Sequence, residues 1–127
     1  MAVMNPLQHY QEQVTNTATP GMVTVMLFDE AAKNINMAIK AINEQDMQVS
    51  HNSIIKAQNI YIALNGFLNS KFEISKSLSK LYDYLARRLA EANIKKSPAI
   101  LKEVLSFTLD FRETWKQAEK NLHMKSK

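Results

Sequence analysis

The sequence contains no cysteine, and only two glycines and three prolines among its 127 residues. Without cysteine there can be no disulfide, no thiolate nucleophile and no Cys-ligated zinc, and the composition suits a reducing cytosol. Glycine and proline together make up roughly 4% of the chain against a usual ~12%. The tight turns that a sandwich or barrel requires therefore have few places to sit. Also missing is any run of about 18 apolar residues, the length that spans a bilayer. The densest apolar patch is Met22-Val-Thr-Val-Met-Leu-Phe28, and the N-terminus shows no basic region followed by a long apolar stretch. The chain is expected to be cytoplasmic and neither membrane-inserted nor secreted. What is present, 46% apolar residues in a length suited to one domain, favours a single all-helical unit with one core.

Charge is unevenly placed. Residues 1–70 hold three lysines and five acids, whereas residues 71–127 hold thirteen basic and seven acidic groups. The bases sit singly or in pairs, as at Arg87-Arg88 and Lys95-Lys96, among acids and without interleaved aromatics. That pattern reads as a solvated helix surface, so no nucleic-acid partner is expected.

Apolar spacing divides the chain into a short arm and four helical stretches. Thr19 and Pro20 supply an N-cap and a first helical residue, and the seam Phe28, Ala32, Ile35, Ile39, Ile42 steps by four and three until about Asn43. A second stretch starts near Asp46 and runs through Met47, Ile54, Ala57, Tyr61, Leu64 and Leu68. Its period is expected to continue across Asn65-Gly66 at a cost of ~1 kcal/mol for glycine. A third, capped by Ser75, aligns Leu78, Leu81, Leu85, Leu89 and Ala92 and stops at Asn93; Ser97-Pro98 then opens a fourth with Leu101, Val104, Leu105, Thr108, Phe111, Trp115 and Leu122. Short connections predict an antiparallel up-down-up-down four-helix bundle over 19–124, preceded by an arm at 1–18 and followed by a polar tail at 125–127. In the arm, Leu7, Tyr10 and Val14 fall on one helical face too short to be stable alone, and they are expected to dock on and cover a groove of the bundle.

The templates for catalysis fail. A di-iron carboxylate site needs Glu three residues before His, and the positions three before His9, His51 and His123 are Pro6, Gln48 and Lys120. Two His at i, i+4 for zinc are absent, as is a Gly-rich phosphate loop, so neither a metal nor another cofactor is implied and the chain reads as a non-enzyme. The alternative function is a histidine phosphotransfer bundle using His51. Such modules resemble one another in placing a Lys and a small residue one turn after the His, where this sequence has Ile54 and Ile55.

A bundle helix needs one apolar stripe, so the informative residues are those in excess of it. At about 100° per residue, Ile55 and Ile62 lie roughly opposite Leu64 and stack on the back of the second helix. Paired β-branched residues of this kind make a groove floor for a partner helix or extended peptide. Ile60 and Phe67 form a flank pair on the same helix. In the fourth helix Ile100 and Phe107 widen the apolar arc on one side and Leu109 on the other, while Met22 and Met26 sit behind the first seam. Ile55, Ile62, Ile60, Phe67, Phe107 and Leu109 are thus the candidate binding residues; filling the bundle edges is the competing reading for Ile60, Phe67 and Phe107.

The order and spacing of several segments resemble the flagellar secretion chaperone family, FliS. They are Tyr10-Gln, Val14-Thr and Thr17-Ala-Thr-Pro-Gly21; Met26-Leu-Phe-Asp29; His51-Asn with Ile55-Lys-Ala-Gln-Asn-Ile60; Leu81-Tyr-Asp-Tyr-Leu85; Arg88-Leu with Glu91-Ala-Asn-Ile-Lys-Lys96; and Trp115-Lys-Gln-Ala118. Thr19 stands where the family usually has Ser, and Phe28 where it often has Tyr. The resemblance implies a bundle that covers the C-terminal segment of flagellin, disordered in the monomer and helical in the filament, and keeps it from polymerising before type III export. It also implies further contacts with the export apparatus or with co-chaperones, and release by competition there.

Overall fold

The computed structural model describes the backbone of residues 19–125 and the side chains from Thr19 to Leu122. These residues form four helices, α1 (Pro20–Asn43), α2 (Met47–Gly66), α3 (Glu73–Lys95) and α4 (Pro98–Lys125), and no strand. α1 packs on α2 and α4, α2 on α3, and α3 most sparsely on α4. Contacts at two heights set their directions. His51 and Gln58 of α2 meet Asn93 and Ala86 of α3, and Thr19 and Asp29 meet Glu119 and Arg112 of α4. In both sets the numbers run in opposite senses, so α2 opposes α3 and α1 opposes α4.

Local chemistry explains most boundaries. Thr19 accepts from the Met22 amide at 3.1 Å with Pro20 in the first turn, Asp46 accepts from the Val49 amide at 3.2 Å, and Ser97 from the Ile100 amide at 3.2 Å. α1 and α3 end through left-handed residues that are not glycine, Gln45 (φ 62°) and Lys96 (φ 48°), which turn the chain within two or three residues of the next helix. The Ser97 amide reaches back to the Ala92 carbonyl at 3.1 Å, which closes the α3 end.

Four boundaries depart from the sequence reading. α2 stops at Gly66, because the Phe67 and Leu68 amides turn to the carbonyls of Leu64 and Asn65 (both 3.2 Å) in a tighter, three-residue repeat. Leu68 still packs on the core from this turn, which is why the apolar period carried past the helix end. α3 begins at Glu73, not behind Ser75: Phe72 holds the cap position in an extended conformation with no side-chain bond, and Ser75 is buried inside the first turn. It also runs past Asn93 to Lys95. α4 extends to Lys125, one residue into the stretch read as a tail.

The core follows the seams, with Leu27, Phe28, Ile35, Ile54, Tyr61, Leu64, Leu85, Leu89, Leu101 and Val104 buried. Its centre is a cluster of four rings, one from each helix. Phe28 stacks on Phe111 at 5.4 Å between centroids, Tyr82 meets Phe111 edge-on at 5.3 Å, and Tyr61 lies 5.9 Å from Tyr82. The buried Thr108 hydroxyl donates to the Val104 carbonyl at 2.7 Å, so its contact with the Tyr61 hydroxyl at 2.5 Å has Tyr61 as donor. α1 and α2 pack on each other, and both bury small residues (Ala31 and Ala38; Ser50, Ser53 and Ala57), which suit a close approach of backbones. Along α3 and α4 charge does part of the closing. Arg88 donates to Glu103 of α4 at 2.7 Å and to Glu91 at 2.6 Å, and Lys95 donates to Glu91 at 2.8 Å. These bonds hold the Glu91 carboxyl below its ordinary range, the one from Lys95 most, and raise the Arg88 guanidinium, chiefly through Glu103.

Leu85→Ala is expected to cost about 2–5 kcal/mol as a core cavity, read from urea unfolding with the helical dichroism retained. Tyr61→Phe is expected to cost about 0.5–1.5 kcal/mol at neutral pH, because it removes the donor to Thr108 and leaves the ring in place. Burial pushes the Tyr61 and Tyr82 phenols above their ordinary 10.0. A group whose folded value is raised contributes stability that is intact below its unfolded value and is lost as pH climbs through the folded one. Stability should therefore fall above about pH 10, and Tyr61→Phe should flatten that slope.

Candidate partner-binding surface

With the seams committed to the core, the apolar side chains left outside define where a partner can bind. Ile62 is 63% exposed and Ile55 38%, one above the other on the outer face of α2. Their spacing puts them away from the buried Ile54, Ala57, Tyr61 and Leu64, as the helical geometry requires. Phe107 is exposed on α4 and Leu109 is half-buried there. Since α2 and α4 do not pack on each other, Ile62 and Phe107 belong to separate faces. Met22 is exposed on α1 and Met26 half-buried.

Ile60 is a correction. It is 1% exposed and belongs to the core cluster, so this flank position, only about 40° from the Leu64 seam, fills the bundle edge and offers no surface to a partner. Ile100 is buried likewise. Phe67 is exposed, but from the turn after α2 and not from its helical flank. Leu122, aligned with the fourth seam, is also exposed near the end of α4. Leu7, Tyr10 and Val14 lie outside the described residues.

Sequence reasoning missed several exposed apolar side chains, of which Ile94, Ile74 and Phe72 are the most exposed. Ile94, at 85% exposure, is nine residues from Leu85 and hence opposite that seam, so the same wheel arithmetic would have found it. Phe72 and Ile74 flank the start of α3, where Ile74 shares the seam direction of Leu78 but has little packed over it; periodicity alone carries no signal for that.

Among the described residues, two clefts mark the end of the bundle that holds Thr19 and the turn after α2. A cleft of about 520 Å³ is lined by Thr19, Pro20, Gly21, Trp115, Ala118, Glu119 and Leu122. A second, of about 200 Å³, adjoins it across Pro20, Gly21 and Trp115 and reaches Phe67, Leu68 and Tyr82.

His51 is exposed at the other end of α2. Lys96 donates to the Asn93 side-chain oxygen at 2.5 Å, which leaves the Asn93 amide NH2 to donate to His51 Nδ1 at 2.9 Å. His51 thus joins α2 to α3, and Ile54 one turn on is buried in the core, so the phosphotransfer arrangement has no support. Among the described residues no group of three or more His, Asp or Glu side chains is placed to hold a metal ion, and no helix is long and apolar enough to cross a membrane.

The geometry can now be set beside known proteins. The family model described as flagellar protein FliS matches residues 3–122. The flagellar secretion chaperone FliS of Bacillus subtilis (strain 168) is 47% identical over 118 residues, covering 93% of this chain and 89% of that protein. The flagellar secretion chaperone FliS of Salmonella typhimurium is 32% identical over 109 residues (84% and 81%), and that of Vibrio cholerae 26% identical over 110 residues (85% and 81%). The chain belongs to the FliS family of flagellar proteins.

Proposed function

We propose that this protein is a cytoplasmic export chaperone that binds the disordered C-terminal segment of flagellin, blocks its premature polymerisation and keeps it competent for flagellar type III secretion. The observation that carries the reading is the outward Ile55–Ile62 pair beside a core already complete without it. Apolar area left in water by a folded protein is area a partner can cover. A client segment that nucleates self-association when bare is protected by such a cover. Exposed apolar residues on two helices that stand diagonally across the core suit an extended client, which can meet Ile62 and Phe107 in turn. Phe67 and Leu109 would serve as secondary contacts at the margins. No step of this task needs bond making or breaking, and handover follows from competition at the export apparatus.

The arm at 1–18 is proposed to act as a stand-in for the client, with Leu7, Tyr10 and Val14 covering the apolar face until flagellin displaces them. Tethering just before Thr19 makes its local concentration of millimolar order, so weak docking suffices.

Ile55→Glu with Ile62→Glu should leave the fold intact and weaken binding of a flagellin C-terminal peptide. Each side chain fully covered accounts for about 1.5–3 kcal/mol, less for Ile55, which is already partly covered. Calorimetry should show a negative heat-capacity change on binding that shrinks in the double variant; unchanged affinity would move the binding face elsewhere. A chain starting at Thr17 should bind the peptide roughly 5- to 30-fold more tightly, as an arm docked by about 1–2 kcal/mol requires. Weaker binding by the well-folded shorter chain would instead make the arm part of the binding surface.

A further inference from the structure

The end of the bundle that holds Thr19 combines an apolar cleft with one charge. Pro20, Trp115, Ala118 and Leu122 supply apolar walls, and among the described residues Glu119 is the only charged side chain lining either of the two adjoining clefts. The combined space falls within the range of sites that take small organic groups or single anchor side chains.

Glu119 is not needed to complete the start of α1. Thr19 Oγ already accepts from the Met22 amide, and the hydroxyl donates its own hydrogen bond to Glu119 Oε1 at 2.7 Å. No cation among the described residues pairs with this carboxylate, and α1 has no acid in its first turn, so the positive end of the α1 dipole offsets only part of the charge. The carboxylate has room there because residue 21 is glycine: a Cβ at that position would overlap it. Gly21 has no positive φ, so backbone conformation does not demand glycine and the space it leaves is what matters.

We propose that this cleft is a docking site for a peptide segment carrying an apolar side chain next to a lysine or arginine, the apolar group entering against Trp115 and the cation pairing with Glu119. Charge complementarity selects this occupant, since a segment with an adjacent carboxylate would place like charges together. The inference goes beyond the chaperone reading and does not depend on which protein is the client.

Trp115 is the sole tryptophan of the chain and lines both clefts, so its fluorescence reports their occupancy. Full-length protein titrated with N-acetyl-leucyl-arginine amide should show a saturable change in emission. The citrulline analogue, matched in shape but uncharged, should bind about two- to fivefold more weakly, the range an exposed ion pair supplies. Glu119→Gln, whose amide oxygen can still accept from Thr19, should make the two peptides bind alike. Gly21→Ala should do the same by displacing the carboxylate while leaving the net charge unchanged, and its thermal unfolding checks that the bundle is intact; if it unfolds, Glu119→Gln carries the test alone. Absence of a saturable change, equal binding of the two peptides to the unaltered protein, or a preference for arginine that survives Glu119→Gln would each overturn the proposal.

Discussion

The bundle depends on one contact set, the four rings that meet at its axis. Phe28, Tyr61, Tyr82 and Phe111 come from four different helices, and each touches at least two of the others. Aliphatic seams leave neighbouring helices free to slide in register, whereas rings in stacked and edge-on contact fix both height and rotation. The hydroxyl of Tyr61 adds a tie to Thr108 across the diagonal from α2 to α4, two helices with no other close approach. With rotation fixed from within, the outer faces carry little structural duty. That freedom allows Ile55 and Ile62 to stay in water without loosening the fold.

The four sides of the bundle are closed by different chemistry. α1 and α2 pack closely and both bury small residues, and Ile60 is buried among the apolar core. Between α3 and α4 the packing is sparse, and Arg88, Glu91, Lys95 and Glu103 bridge the gap with charge-assisted bonds while Tyr84 reaches Glu103 at 3.2 Å. A side closed by exposed ion pairs is weaker than one closed by burial. The basic second half of the sequence is thereby accounted for in part: several of its cations face acids of the same or the neighbouring helix.

The elements were legible in the sequence because apolar period and caps agreed. Thr19-Pro20, Asp46 and Ser97-Pro98 mark three helix starts through the hydrogen bonds their side chains make, and the seam positions Phe28, Ala32 and Ile35 and Leu85, Leu89 and Ala92 are buried. The start of α3 was not legible, since Phe72 caps through its backbone alone and carries no side-chain signature. Nor was the end of α2, where Leu68 continues the period while the chain has already turned. For the binding face the wheel found Ile55 and Ile62 because opposition to a seam is an intrahelical property. It left Ile60 open between groove and bundle edge, because closure of a flank depends on what a neighbouring helix packs over it, which period does not encode. The clefts around Trp115 draw on all four helices and on the absence of a side chain at Gly21, so they exist only in three dimensions.

The links of two, three and six residues between successive helices have a kinetic consequence. Three of the four packed pairs, α1–α2, α2–α3 and α3–α4, are between neighbours along the chain. Each can zip as a hairpin once its turn forms, at small loop-closure cost. The fourth pair alone brings distant segments together, as Asp29 with Arg112 and Thr19 with Glu119 show. Mostly local contacts belong to the microsecond-to-millisecond class of folding rates. Such a chain reaches its working form soon after synthesis, with the docking of α4 on α1 as the single event that must span the whole molecule.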